Sequence, residues 1–158
     1  MDCELFLVSN LDHTVLKKSL SKIISDVLGD KVQEYDNGDS SDISCKYFSM
    51  GIETNEITSI DFLREEYKMN IDTELRIQLF GKTFYEGLEV LFKVIGTLMR
   101  EIKGDMFFLE NGDYQLFRKE GQILIINNNL DQYQKKYYTK ELIDLLCHPY
   151  IEKNLSNI

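Results

Sequence analysis

Carboxylates are the side chains with the most chemical potential in this chain. The stretch DNGDSSD carries Asp36, Asp39 and Asp42, and Glu53, Glu56, Glu65 and Glu66 follow soon after. Hard cations such as calcium take several carboxylate oxygens from one loop. The spacing here does not suit that chemistry. An EF-hand needs its glycine after three alternating acidic or amide positions and a glutamate six residues later. Gly38 comes too early, and position 44 is a serine. The stretch therefore reads as a solvated acidic loop, and no metal ligands are assigned. Asn127, Asn128 and Asn129 read as the polar end of a strand before they read as ligands.

Catalytic groups are scarce. His13 sits at an expected helix start and His148 just before Pro149 at a helix end, and both read as surface residues. Nucleophile elbows, metalloprotease helices and glycine-rich phosphate loops do not occur. Cys3, Cys45 and Cys147 are scattered and odd in number, which suits free, partly buried thiols better than disulfides or a zinc site. No catalytic residue and no cofactor is assigned, so a binding protein is a more natural reading than an enzyme.

Charge supports that reading. The 158 residues carry a net charge of −9. Residues 26–66 account for most of it, with 11 acidic side chains against 3 basic ones. Such a surface repels phosphate backbones, which disfavours nucleic acid, and attracts basic partners. No apolar run reaches the roughly 18 residues of a membrane span. The opening MDCELFLVSNLD has no basic region and holds Asp2 and Glu4, so it does not read as a signal peptide and a cytoplasmic location is expected.

Regular elements must position these groups. Residues 4–9 read as a strand. Asn10 or Asp12 caps a helix whose Leu16, Leu20, Ile23, Ile24 and Val27 share one face, and Gly29 stops it. Residues 30–42 form a loop or hairpin tip, and residues 43–50 a strand. Residues 56–69 suit a short helix, with Thr58 and Asp61 at capping-box spacing, although a strand fits Phe62 and Leu63 as well. Residues 72–80 alternate as a half-buried strand. Residues 82–103 carry a continuous apolar stripe, the clearest helix in the chain. Gly87 and Gly96 weaken that helix, so it is expected to approach a sheet closely at these points. Residues 106–109, 114–118 and 123–126 form a meander, with Asn111-Gly112 and Gly121 setting its turns. A polar loop over 127–136 precedes a last helix capped by Thr139 and stopped by Pro149. There Tyr133, Tyr137 and Tyr138 suit stacking or an interface, and for Tyr138 packing on Ile143 is the better reading. Residues 152–158 read as a loose tail.

The expected fold is thus one α+β domain. It has a single antiparallel sheet, a long central amphipathic helix and two shorter helices mainly on one face, and it ends in the three-stranded meander.

The order of motifs resembles the Sit-type immunity proteins of bacterial polymorphic-toxin systems, the third type of that family. The resemblance covers nearly the whole chain. It rests on ELFLVSNLDHTVLKKSLSKIISDVLG, on the strand ELRIQLF and on FYEGLEVLFKVIGTLMREIKGDMFFLENGDYQLFRKEGQILIIN. Phe84, Gly87, Leu88, Gly104, Asp105, Asn111, Gly112, Arg118, Gly121 and Asn127 occupy the matching positions, and YYTKELIDLL resembles the start of the family's last helix. The chain departs from the pattern in having no tryptophan, in Lys140 after the threonine, and in the polar 127–136 loop.

What the resemblance implies is an immunity protein that binds a cognate toxin domain with a basic surface and neutralises it by occlusion. The acidic stretch itself supplies the expected contact surface: Asp36, Asp39, Asp42, Glu53, Glu56, Glu65 and Glu66. A non-catalytic adaptor module, or a small enzyme with an unrecognised site, remains the alternative on the residues alone.

Overall fold

A computed structural model describes residues 1–38 and 40–156. The chain runs β1 (Asp2–Leu7), α1 (His13–Leu28), β2 (Gln33–Asn37), β3 (Ser40–Ser44), β4 (Phe48–Glu53), α2 (Ile60–Tyr67) and β5 (Thr73–Leu79). A 3₁₀ turn at Gly81–Thr83 leads into α3 (Phe84–Glu101). Then come β6 (Met106–Glu110), β7 (Tyr114–Glu120), β8 (Ile123–Asn127), α4 (Gln132–Tyr137), α5 (Lys140–Asp144) and β9 (Tyr150–Lys153).

Among the described residues, one nine-stranded sheet, in the order β2-β3-β4-β5-β1-β6-β7-β8-β9, carries the fold, an α+β architecture. The first strand lies in the middle of it, because β1 pairs with β5 on one side and β6 on the other. The main core joins α1, α3 and α5 to one face. Phe92 of α3 meets Phe108, Phe117 and Tyr138 edge-on at ring separations of 6.0, 6.1 and 6.0 Å, the arrangement aromatic quadrupoles favour. Each fully buried side chain of this kind contributes about 1.5–3 kcal/mol.

Helix ends follow local chemistry. The Asp12 side chain accepts from the Val15 N–H at 3.0 Å, and Gly29 closes α1 in the left-handed region at φ 70°. The Thr139 hydroxyl accepts from Leu142 N–H at 3.2 Å and starts α5, as its position in the sequence suggests.

Several expectations need correction. The sheet is not wholly antiparallel, since β9 runs parallel to β8. The chain therefore does not end at the meander, and residues 152–156 are not loose; the rest of the expected tail lies outside the described residues. Buried Asn127 holds that end. Its amide donates to Gln115 O at 2.7 Å and its Oδ1 accepts from Leu155 N–H at 3.2 Å. The expected strand over 43–50 is two strands, because the chain turns at Cys45–Tyr47 (the Cys45 N–H bonds Phe48 O at 3.0 Å). Residues 60–67 are helical, but without the expected capping box: Ser59 occupies the cap at φ 58° and makes no side-chain cap bond. This α2 packs on the opposite face from the other helices, against Phe6, Phe107 and Leu109. Within the 127–136 segment, Asp131 and Gln134 form a capping box that starts α4.

The two helical glycines separate in role. A side chain at Gly87 would press on Tyr47 and Leu79 beside the sheet, as expected, whereas Gly96 lies against the Leu146 backbone at the end of α5. Of the C-terminal tyrosines, Tyr137 and Tyr138 are buried in the core with Ile143 rather than at the surface, and only Tyr133 is exposed.

Candidate partner-binding face

Because α2 packs over Phe6 of β1 and Phe107 and Leu109 of β6, the strands β2 to β5 and the start of β1 are left open on that side. Alternation decides what points there. In β5, Leu75, Ile77 and Leu79 enter the core, so Glu74, Arg76 and Gln78 point the other way. In β1, Cys3, Leu5 and Leu7 enter the core, which turns Asp2 and Glu4 outward. The registers align these residues into rows. Asp42, Gly51, Arg76 and Glu4 are successive cross-strand partners, and Ser40, Glu53, Glu74 and Phe6 form the adjacent row. At about 4.8 Å between strands, each row spans roughly 14 Å.

The result is a shallow depression of about 500 Å³, with Asp2, Glu4, Asp42 and Glu53 around Arg76. Gly51 sets its floor: a Cβ there would stand 3.2 Å from Asp42 Oδ1. Arg76 holds Glu74 through two hydrogen bonds, at 3.0 and 3.3 Å. Burial raises the Glu4 carboxyl above its ordinary value, the Gly112 N–H it accepts works against this, and neighbouring Glu74 and Asp2 push it up further. Burial also pushes Glu53 up, but the N–H groups of Glu56, Asn55 and Thr54 outweigh it and hold that carboxyl low.

The seven suggested contact residues scatter. Asp42 and Glu53 line the depression. Glu56 is exposed on the loop beside it, and Glu65 and Glu66 are exposed on α2. Asp36 lies on the other face, ion-paired with Lys17 of α1 at 2.7 Å, which together with the Ser41 hydroxyl lowers its carboxyl. Asp39 lies outside the described residues. Four residues of the face were not anticipated: Asp2, Glu4, Glu74 and Arg76. Their signal is the polar half of two alternating strands, legible once those strands are known to be neighbours.

His13 is also better connected than a surface residue. Ser41 Oγ donates to Asp36 Oδ1 at 2.8 Å, so it accepts from His13 Nε2–H at 2.7 Å. That leaves His13 Nδ1 to accept from the Thr54 hydroxyl at 3.1 Å. The set has the residue types of a hydrolase triad, but the Ser41 proton is committed to Asp36 and the residue is 1% exposed. It works as a clamp joining α1 to β3 and the end of β4. Cys3 points into the core, where burial pushes its thiol far up, away from the reactive thiolate.

Among the described residues, no helix is long and apolar enough to cross a membrane. No family model matches the chain, and no curated protein or solved structure is significantly similar to it.

Proposed function

We propose that the chain is a non-catalytic binding protein of the immunity type, which acts in the cytoplasm and neutralises a cognate toxin by covering its functional surface. The observation that carries this reading is the open sheet face, where four carboxylates surround one arginine in a shallow depression. A basic protein surface suits such a face. Burial is the main cause that raises Glu4; such a surface offsets the like-charge crowding from Glu74 and Asp2 that adds to it, and the long reach of the charges speeds encounter. A cation beside Glu4 draws its proton off, so binding strengthens as pH rises through the carboxylate range.

The test is co-expression with the C-terminal domain of the protein encoded by the neighbouring open reading frame, the expected toxin. The expected result is rescue of growth and a stable complex. Failure to rescue sinks the reading. Within a complex that does form, the Asp42→Lys/Glu4→Lys double variant should associate at least about tenfold more slowly and with weaker salt dependence. Unchanged kinetics would move the interface off this face.

A further inference from the structure

The two edges of the sheet are built differently. The β9 edge is four residues long, follows directly on Pro149 and ends in Lys153, devices that blunt an edge against further pairing. The β2 edge has neither proline nor lysine, and its only charges are the acidic Glu34 and Asp36. Its sequence is Gln-Glu-Tyr-Asp-Asn, all five residues are exposed, and its register with β3 is continuous from Gln33↔Ser44 to Asn37↔Ser40 with no bulge. An edge strand presents a row of unpaired N–H and C=O groups to any incoming strand.

We propose that β2 is a docking edge to which a partner protein adds an extended basic strand, a mode of binding that rests on the reading of the chain as a binding protein. The side chains define the occupant. Glu34 and Asp36 pair across with Ile43 and Ser41, so they lie on the helix-covered side of the sheet. Tyr35 pairs with Asp42 and stands on the open side, 56% exposed. A second copy of this chain is a poor occupant. An antiparallel pair centred on Tyr35 sets Glu34 against Asp36 of the other copy, twice over, in a protein of net charge −9. A strand with lysine or arginine at alternate positions instead meets Glu34 on one side, next to Asp36, whose charge Lys17 already pairs. Its β-branched residues on the other side pack against Tyr35. The added strand then continues the open face past Asp42.

The probe is the peptide acetyl-(Lys-Val)₄-amide, titrated into the ¹⁵N-labelled chain and followed by amide shifts and hydrogen exchange. Shifts centred on residues 33–37, with new protection of the outward amides of β2, are expected. A version N-methylated at alternate residues keeps the charge but loses the ladder, and should bind at least about tenfold more weakly. (Glu-Val)₄ should not bind, and Glu34→Lys should lower affinity for the basic peptide. Equal binding of the methylated peptide overturns the proposal, because charge alone then suffices. So do shifts confined to Glu4, Asp42 and Arg76 without protection of β2, and so does dimerisation of the chain through this edge. The toxin experiment is separate: neutralisation without peptide binding removes the edge and keeps the reading, and peptide binding without neutralisation does the reverse.

Discussion

Arg76 is the point where the stability of the open face and its charge meet, and replacing it by glutamine tests both. The Glu74 side chain is 8% exposed, and Arg76 is the cation that pairs with it. Breaking a fully buried ion pair by removing one partner costs roughly 3–5 kcal/mol. That figure is too large here, because the Arg76 side chain is itself 56% exposed and water screens the pair. The two charge-assisted hydrogen bonds lost, together with the desolvated carboxylate left behind, set a cost of about 1–2 kcal/mol.

The assay is urea unfolding followed by far-UV circular dichroism for the wild type, Arg76→Gln, Glu74→Gln and the double variant. Arg76→Gln should lose about 1–2 kcal/mol, and adding Glu74→Gln should recover at least about half of it, since the orphaned charge is then gone. Higher salt should shrink the difference. A loss below about 0.3 kcal/mol, or no recovery in the double variant, would refute the account of Arg76 as the counter-ion of a buried carboxylate. The same variant removes the cation at the centre of the depression, so a basic partner should bind it at least as fast as it binds the wild type.

Two other outcomes follow from the packing and the buried phenols. Gly96→Ala should destabilise by about 1–3 kcal/mol despite better helix propensity, because its Cβ would lie 2.8 Å from the Leu146 Cα. Gly87→Ala, whose Cβ meets side-chain atoms at 3.2 and 3.3 Å, should stay within about 1 kcal/mol of wild type, and urea midpoints that reverse this order would contradict the packing. Burial raises the phenols of Tyr137 and Tyr138, and the Glu110 carboxylate that accepts from Tyr137 raises that one further. Both favour the neutral form in the fold, so their contribution is intact below the unfolded value of about 10 and declines as pH rises beyond it. Absorbance at 295 nm should therefore show these tyrosines ionising only as the chain unfolds; titration of all nine near pH 10 with secondary structure intact would count against their burial.

Elements whose periodicity is long and unbroken were legible from the sequence. The stripe of α3, the alternation of β5 and the two turns of the meander each follow from residues close together in the chain, and each is present. So are the cap at Asp12 and the cap at Thr139, which need only a side chain reaching three residues ahead. The break at Cys45–Tyr47 was hidden, because an apolar run reads the same whether it is one strand or two that fold back. The path of the C-terminal strand was hidden for another reason. Parallel pairing of β9 with β8, and the Asn127 bonds that fix it, link residues some 28 apart and leave no local pattern.

The candidate site divides in the same way. Composition alone concentrated the negative charge in the first half of the chain, and alternation alone gave each strand its polar side. Which polar sides adjoin was decided by tertiary structure. Placing β1 between β5 and β6 brings Glu4 beside Arg76, seventy-two positions away in sequence, and the pairing of β2 with β3 sends Asp36 to one face and Asp42 to the other. A strand's two faces are fixed by its own residues, since side chains alternate with every step. Its neighbours, and which face a helix covers, are set by the burial of the whole core, and so which carboxylates share a face was decided only in three dimensions.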